Sequence, residues 1–168
     1  MKGISLFISS VILFAGSLHI AQAADVTITI NGKVVATPCT VATSNVDIDL
    51  GTLTSTDFIT AGSASAWHSF TLNLTNCPVG TSKVTATFSG SSDSSNSYFA
   101  NTGDATNMAI QLADSDGNNL KNGSSKVVAV NDSSKSAALN LEVRAITTQG
   151  KATQGTIQSI INVTYTYS

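Results

Sequence analysis

The sequence has little charge, and the charge it has is spread thinly. Only 11% of the 168 residues are Asp, Glu, Lys or Arg, the formal net charge is −2, and there is one glutamate and one arginine. With no basic stripe or polybasic run, the composition argues against binding to nucleic acid or to a charged membrane surface. Good helix formers are scarce while Thr, Val, Ile, Ser and Gly dominate, so the composition favours β-structure.

Chemically reactive side chains are equally sparse. His68 has no histidine nearby, no Gly-x-Ser-x-Gly motif occurs, and the two cysteines do not form a Cys-x-x-Cys pair. Asp47 and Asp49 lie two residues apart, a spacing that solvent-facing alternation in a strand explains better than a catalytic carboxylate pair does. The sequence therefore predicts no catalytic residue, no metal site and no cofactor, and an enzyme is the least favoured class of protein.

The N-terminus has the form of a secretory signal. Lys2 precedes an apolar run, and Ala21–Gln22–Ala23 supplies a small-x-small cleavage pattern. Polar residues interrupt the run, which is too short to span a bilayer, so we expect no stable membrane insertion. We predict a signal peptide over residues 1–23 and an exported mature chain of one domain from Ala24 onward.

Cys39 and Cys77 are the only cysteines in the chain. In an exported protein an even pair most often forms a structural disulfide, and we predict one here. A bridge that closes so long a loop contributes roughly 4 kcal/mol to stability, because it removes conformational entropy from the unfolded chain.

Short runs of alternating apolar and polar residues recur along the chain with turn residues between them. Many short strands at this spacing are typical of a β-sandwich, and an immunoglobulin-type topology is the natural expectation. The Cys–Trp–Cys hallmark of true immunoglobulin domains is not met, because Trp67 lies close to Cys77 and far from Cys39. The predicted strands cover residues 46–50, 69–74, 84–88, 108–112, 127–130, 137–145 and 155–168.

An apolar-faced strand is predicted at each end of the mature chain. The C-terminal strand has on one face Ile157, Ile161, Val163, Tyr165 and Tyr167. The N-terminal strand has on one face Val26, Ile28, Ile30, Val34 and Ala36, with Gly32 in phase among them. Asn31–Gly32 is also a hairpin signal, but a hairpin would scatter the apolar residues over both faces, so a straight strand is favoured. Unpaired strands of this kind can pair with another chain.

These features together resemble subunits of chaperone–usher pili over the whole mature chain. The resemblance rests on the apolar extension 25–36 before Pro38–Cys39–Thr40–Val41, on Asn76–Cys77–Pro78, and on the alternating C-terminal strand. Ala66–Trp67–His68 and residues 152–158 are most similar to the minor tip subunits of type 1 fimbriae. The resemblance implies an all-β fold: an incomplete immunoglobulin-like sandwich over residues 38–168 that lacks its last strand, and a free donor-strand extension over residues 24–37.

The resemblance also implies roles for the two terminal strands. In this family a periplasmic chaperone lends the missing strand, and at the outer-membrane usher the extension of the next subunit replaces it by β-strand addition. The implied donor residues are Val26, Ile28, Ile30, Gly32, Val34 and Ala36. The implied acceptor and chaperone-binding residues are Gly155, Ile157, Ile161, Val163, Tyr165, Tyr167 and Ser168.

The function that the resemblance implies is that of a minor tip adaptor in a cell-surface fimbria that supports cell adhesion. Such a subunit is exported through the periplasm, gives its strand to the tip adhesin and accepts a strand from a neighbouring minor pilin. A major rod pilin of the same fibre class is an alternative. A one-domain carbohydrate-binding adhesin that uses Trp67 and the loop 89–103 is another, although packing explains Trp67 better and a surface or rim position explains His68.

Overall fold

A computed structural model of the chain describes residues 28–34 and 37–168. Apart from one short 3₁₀ helix, the regular structure of these residues is entirely β. No helix among them is long and apolar enough to cross a membrane. The strands are β1 (Thr40–Val41), β2 (His68–Thr75), β3 (Lys83–Ser89), β4 (Phe99–Ala100), β5 (Ala109–Asp114), β6 (Ser125–Ala129), β7 (Ala137–Ile146) and β8 (Asn162–Tyr167), and the 3₁₀ helix is Ser55–Phe58.

The strands form two antiparallel sheets. One sheet has five strands in the order β1-β2-β7-β5-β4, and the other has three in the order β6-β3-β8. In the larger sheet β2 pairs with β7 along its whole length except the last residue. In the smaller sheet Val84 of β3 lies opposite Tyr167 of β8, and Ser89 lies opposite Asn162. The last strand of the chain is therefore an edge strand.

One hydrophobic core lies between the sheets. Period-2 alternation turns every second side chain of a strand inward, which is why β7 buries Leu139, Leu141 and Val143 while the residues between them stay accessible. From the smaller sheet, the inward side chains of β3 are fully buried in the same cluster. Each such aliphatic or aromatic side chain contributes about 1.5–3 kcal/mol by leaving water. The pattern places the core where a sandwich requires it.

The predicted disulfide is present. Cys39, directly before β1, is bonded to Cys77, two residues after the end of β2, and both are buried. Thr40 and Val41 of β1 pair with Thr75 and Leu74 of β2. The bridge therefore fixes the short first strand to the edge of the larger sheet.

Most predicted strands are confirmed, one is absent, and one begins later than predicted. Residues 46–50 form no strand, because no described strand lies beside them to complete a hydrogen-bonded ladder, although Ile48 and Leu50 pack against the core. The strand predicted over 155–168 begins only at Asn162. Residues 156–158 instead bond to the loop 101–105, as described below.

A buried carboxylate ties the two sheets together. Asp114 at the end of β5 is 2% exposed and accepts a hydrogen bond of 2.6 Å from Lys126 Nζ in β6. Its other oxygen accepts bonds from the backbone N–H groups of Asp116 and Asn118. Burial alone would raise the pKa of Asp114, but the hydrogen bonds from Lys126 and Asn118 outweigh burial and lower the pKa from 3.8 to about 2.

Asp114→Asn is expected to destabilise the domain by about 2 kcal/mol at pH 7, since hydrogen bonds to a charged group are lost. A lowered pKa means that the unfolded state binds more protons, so the contribution is complete above pH 3.8 and is lost as the pH falls toward 2. Urea unfolding of the wild-type chain and the variant at several pH values measures this contribution to the free energy of unfolding. The exposed Asp132→Asn is the control, and an equal effect of both changes at pH 7 would contradict the assignment.

Candidate functional site

The outer edge of β8 is the most unusual feature of the sandwich. β8 pairs with β3 on one side, and on its other side no strand of the described residues lies next to it. In a complete immunoglobulin-type sandwich a further strand would occupy that place. The backbone N–H and C=O groups along this edge therefore have no strand partner, which is the arrangement that templates pairing with another chain.

The side chains of β8 show the same incompleteness. Val163, Tyr165 and Tyr167 face the core but are only partly buried. On the paired strand β3, Ala86 and Phe88 have no exposed surface at all, although they lie opposite Tyr165 and Val163. The inward side chains of β3 are thus shielded from solvent, whereas those of β8 are only partly shielded.

Further apolar side chains are left partly exposed around the core. Ile48, Leu50 and Leu53 lie between β1 and β2, and Phe70 lies in β2. Ile157 and Ile161 lie in the segment before β8. Leu53, Phe58, Met108 and Ile157 line one open cavity of about 130 Å³. Apolar surface from two parts of the domain therefore meets beside the segment that leads into β8.

Both tyrosines of β8 behave as apolar residues. Burial raises the pKa of Tyr165, with a smaller contribution from Tyr167, and burial raises the pKa of Tyr167. Their hydroxyls therefore stay uncharged across the physiological range. Each presents a largely hydrophobic ring to whatever lies along this edge.

The segment before β8 is held in place by the loop that precedes β5. Thr102 and Ala105 donate backbone hydrogen bonds to Gln158 O and Thr156 O. Asn101 Oδ1 accepts a bond of 2.8 Å from Gln158 N. Gly155 is required at its position, because a Cβ there would overlap the backbone nitrogen of Ala105.

The C-terminus is anchored at the other end of β8. The carboxyl oxygen of Ser168 accepts hydrogen bonds from Ser82 N at 2.8 Å, from Lys83 N at 2.9 Å and from Ser82 Oγ at 3.1 Å. Ser82, Lys83 and Asn101 could not be identified from the sequence, because no local pattern marks contacts between residues so far apart in the chain. Of the implied acceptor residues, Val163, Tyr165 and Tyr167 lie on β8, whereas Gly155 and Ile157 lie in the segment before it.

The N-terminal extension is described over residues 28–34. Ile28, Ile30 and Val34 are 78%, 89% and 100% exposed, which is extreme for aliphatic side chains. Residues 28–34 form neither a strand nor a turn, so the hairpin that Asn31–Gly32 could have signalled is absent there. Two implied donor residues, Val26 and Ala36, lie outside the described residues, as does the predicted signal peptide.

Trp67 and His68 have ordinary structural surroundings. The guanidinium carbon of Arg144 lies 4.2 Å from the centre of the Trp67 ring, and Arg144 Nε donates to Gln111 Oε1 at 2.8 Å. His68 is a partly buried residue at the start of β2. Among the described residues no group of three or more His, Cys, Asp or Glu side chains is placed to hold a metal ion.

The chain is similar to fimbrial subunits in sequence and in structure. A family model described as fimbrial protein matches residues 28–168. The chain is 60% identical to protein FimG of Escherichia coli strain K12 over 147 residues, which cover 88% of this chain and 87% of that one.

The fold agrees with two solved structures. A subunit in the structure of a chaperone–usher pilus matches with a TM-score of 0.67 at 22% identity, covering 90% of this chain and all of that one. The P pilus rod subunit PapA matches with a TM-score of 0.66 at 20% identity, covering 79% of this chain and all of that one. Both likenesses support the incomplete immunoglobulin-like pilin fold.

The open edge of β8 and the comparisons together indicate a component of a fibre. Members of the matched family are structural subunits that are exported through the periplasm to surface fimbriae, and a chaperone, an usher and neighbouring subunits are their partners. The chain belongs to the fimbrial protein family, as a structural subunit of a chaperone–usher pilus.

Proposed function

We propose that this subunit is a minor tip adaptor of a type 1 fimbria and that it polymerises by donor-strand exchange. Residues 38–168 form the pilin domain, and residues 24–37, freed when the signal peptide 1–23 is removed, form the donor extension. The extension completes the tip adhesin, and a neighbouring minor pilin completes this domain. The observation that carries the proposal is the open edge of β8, where apolar side chains that face the core remain partly exposed.

A borrowed strand supplies what this edge lacks. An extended segment beside β8 would pair with its free backbone groups, and alternate apolar side chains would cover Val163, Tyr165 and Tyr167. Each aliphatic side chain that becomes buried contributes about 1.5–3 kcal/mol before the cost of ordering the segment. The periplasmic chaperone provides this strand first, and a subunit extension replaces it at the usher.

The extension of this chain has the properties of such a strand. Ile28, Ile30 and Val34 fall at alternate positions with Gly32 in phase, and all three side chains lie in water in the free subunit. So much exposed aliphatic surface is unfavourable in isolation and is relieved when the segment enters an apolar groove. Gly32 would allow close approach where a side chain would not fit.

The position of the C-terminus suits recognition by the chaperone. Backbone amides of Ser82 and Lys83 hold the carboxyl group of Ser168 at the end of β8. A basic cleft on the chaperone that binds this carboxylate would set the register of the lent strand against β8. Residues Gly155 to Ser168 then act together as the chaperone-binding and acceptor edge.

The adaptor role is tested by the abundance of this chain in the fibre. We expect purified, sheared fimbriae to contain it at a small fixed number of copies, measured by quantitative mass spectrometry against the most abundant subunit. Cross-linking should place it next to the tip adhesin. If it makes up most of the fibre mass, it is the rod pilin and the adaptor role is wrong.

A further inference from the structure

The chain contains two Asn–Gly pairs with opposite surroundings. Asn31–Gly32 lies in the extension, and Asn122–Gly123 lies in the loop between β5 and β6. The Asn–Gly sequence is the one most prone to spontaneous loss of the side-chain amide, because glycine leaves its own backbone nitrogen unshielded and its backbone free to rotate. The two pairs therefore allow one reaction to be compared in two settings.

The reaction needs no partner other than water. The backbone nitrogen of the glycine loses its proton to water or hydroxide and attacks Cγ of the asparagine, so that an N–Cγ bond forms. The bond from Cγ to the amide nitrogen then breaks, and the amide group takes a proton from water and leaves as ammonia. The resulting five-membered succinimide is opened by water at either carbonyl. One product is aspartate, and the other is isoaspartate, in which the main chain runs through the side-chain carbon and gains one methylene.

Asn31–Gly32 meets the requirements of this reaction. Both residues are exposed, and residues 28–34 belong to no strand or turn that would fix their torsion angles. No strand pairing among the described residues therefore holds the backbone nitrogen and the amide carbon of this pair apart.

Asn122–Gly123 is blocked at both reacting groups. The nitrogen of Gly123 donates a hydrogen bond of 2.8 Å to Phe88 O, so the nucleophile is engaged. The side-chain oxygen of Asn122 accepts a bond of 3.2 Å from Gly90 N, which holds the amide in place. Gly123 itself has a φ of +83°, fixed by the turn. The same dipeptide is therefore protected by the folded domain.

We propose that Asn31–Gly32 is a site of self-modification that limits the lifetime of the unassembled subunit as a strand donor. This inference rests on the proposed donor function. An isoaspartate at position 31 adds a backbone atom between Ile30 and Val34, so the two side chains can no longer occupy the same face in register. The change also adds a negative charge in the middle of an apolar strand.

Assembly protects the same pair. Within a paired β-strand the backbone at Asn31 and Gly32 is extended and held by hydrogen bonds to its neighbour, as the nitrogen of Gly123 is held in this domain. The geometry for ring closure is then lost. A subunit whose extension is seated in a neighbour keeps Asn31, and a subunit whose extension stays free loses it.

The first test follows the chemistry directly. The purified chain is incubated at mildly alkaline pH, digested and analysed by mass spectrometry, and isoaspartate is counted by labelling with an isoaspartyl methyltransferase. We expect the peptide containing Asn31 to exchange its amide for a carboxyl group while the peptide containing Asn122 stays intact, and Gly32→Ala to slow the conversion. If Asn31 keeps its amide as long as Asn122 does, the proposal is overturned.

The second test follows the consequence. Fresh and aged chain are compared for addition to a subunit with an open groove, and Asn31→Gln, which closes a six-membered ring only slowly, serves as the matched control on the opposite face of the strand. We expect ageing to reduce addition by the wild-type chain and to leave Asn31→Gln unchanged. Equal addition by fresh and aged wild-type chain would overturn the inference. Failure of the fresh chain to add at all would instead count against donor-strand exchange, while the amide measurement still decides the chemistry.

Discussion

Ile30→Asp is expected to abolish addition of this subunit to the one in front of it. Ile30 is 89% exposed in the free chain, so the substitution removes no contact that the domain needs in order to fold. In the proposed groove it replaces a buried aliphatic side chain by a carboxylate, which costs about 2 kcal/mol of lost burial and several more for desolvating a charge. A total of about 4 kcal/mol or more weakens the assembly about a thousandfold.

The matched control is Thr29→Asp. It places the same charge one residue away, on the opposite face of the predicted strand, where the side chain would point to solvent. Both variants are mixed with a subunit that has an open groove, and the adduct is measured by size-exclusion chromatography after circular dichroism has shown equal folding. Normal addition by Ile30→Asp, or equal loss in both variants, would show that this face of the extension does not enter a groove.

Alternation in the sequence was sufficient to predict the strands that build the core. In β2, β3 and β7 most inward positions are apolar and most outward positions are polar, chiefly Ser, Thr and Asn, so the period and the buried face are both visible in the residues themselves. The disulfide followed from the cysteine count and the export signal. These features depend on local chemistry, which a single sequence records.

Pairing partners were harder to predict, because they depend on residues distant in the chain. Residues 46–50 alternate like a strand, but no strand of the larger or smaller sheet lies beside them. Residues 155–161 continue the apolar face of β8. Residues 156–158 are nevertheless hydrogen-bonded to Asn101 and its neighbours and do not form a strand. The ion pair of Asp114 with Lys126 was also missed, because the two residues lie on different strands and no local pattern in the sequence pairs them.

The candidate site was identified in part from its residues and in part from the family resemblance. The apolar faces of both terminal strands are visible in the sequence. The lack of a strand beside β8 cannot be seen in the sequence, because an edge strand and a central strand show the same alternation. The partial exposure of Val163, Tyr165 and Tyr167 next to the fully buried inward side chains of β3 is the structural sign of that missing strand.

The largest stability effect is expected from supplying this strand within the same chain. If residues Asp25–Ala36 are copied after Ser168 through a flexible linker, the second strand becomes intramolecular, and the entropy of bringing two chains together is no longer lost. Burial of several aliphatic side chains along β8, at about 1.5–3 kcal/mol each, is then opposed only by the ordering of the segment. A gain of several kcal/mol is comparable with the whole stability of a typical domain.

The most direct measurement compares the thermal unfolding of two versions that both lack residues 1–37. One ends at Ser168, and the other carries the linker and the copied strand; a third, with Ile30→Asp within the copy, separates strand insertion from the mere presence of a tail. We expect only the unaltered copy to give a monomer that unfolds cooperatively at a raised Tm. A version ending at Ser168 that is monomeric and equally stable would show that the domain is complete without a borrowed strand, and donor-strand exchange would then not be the function of this edge.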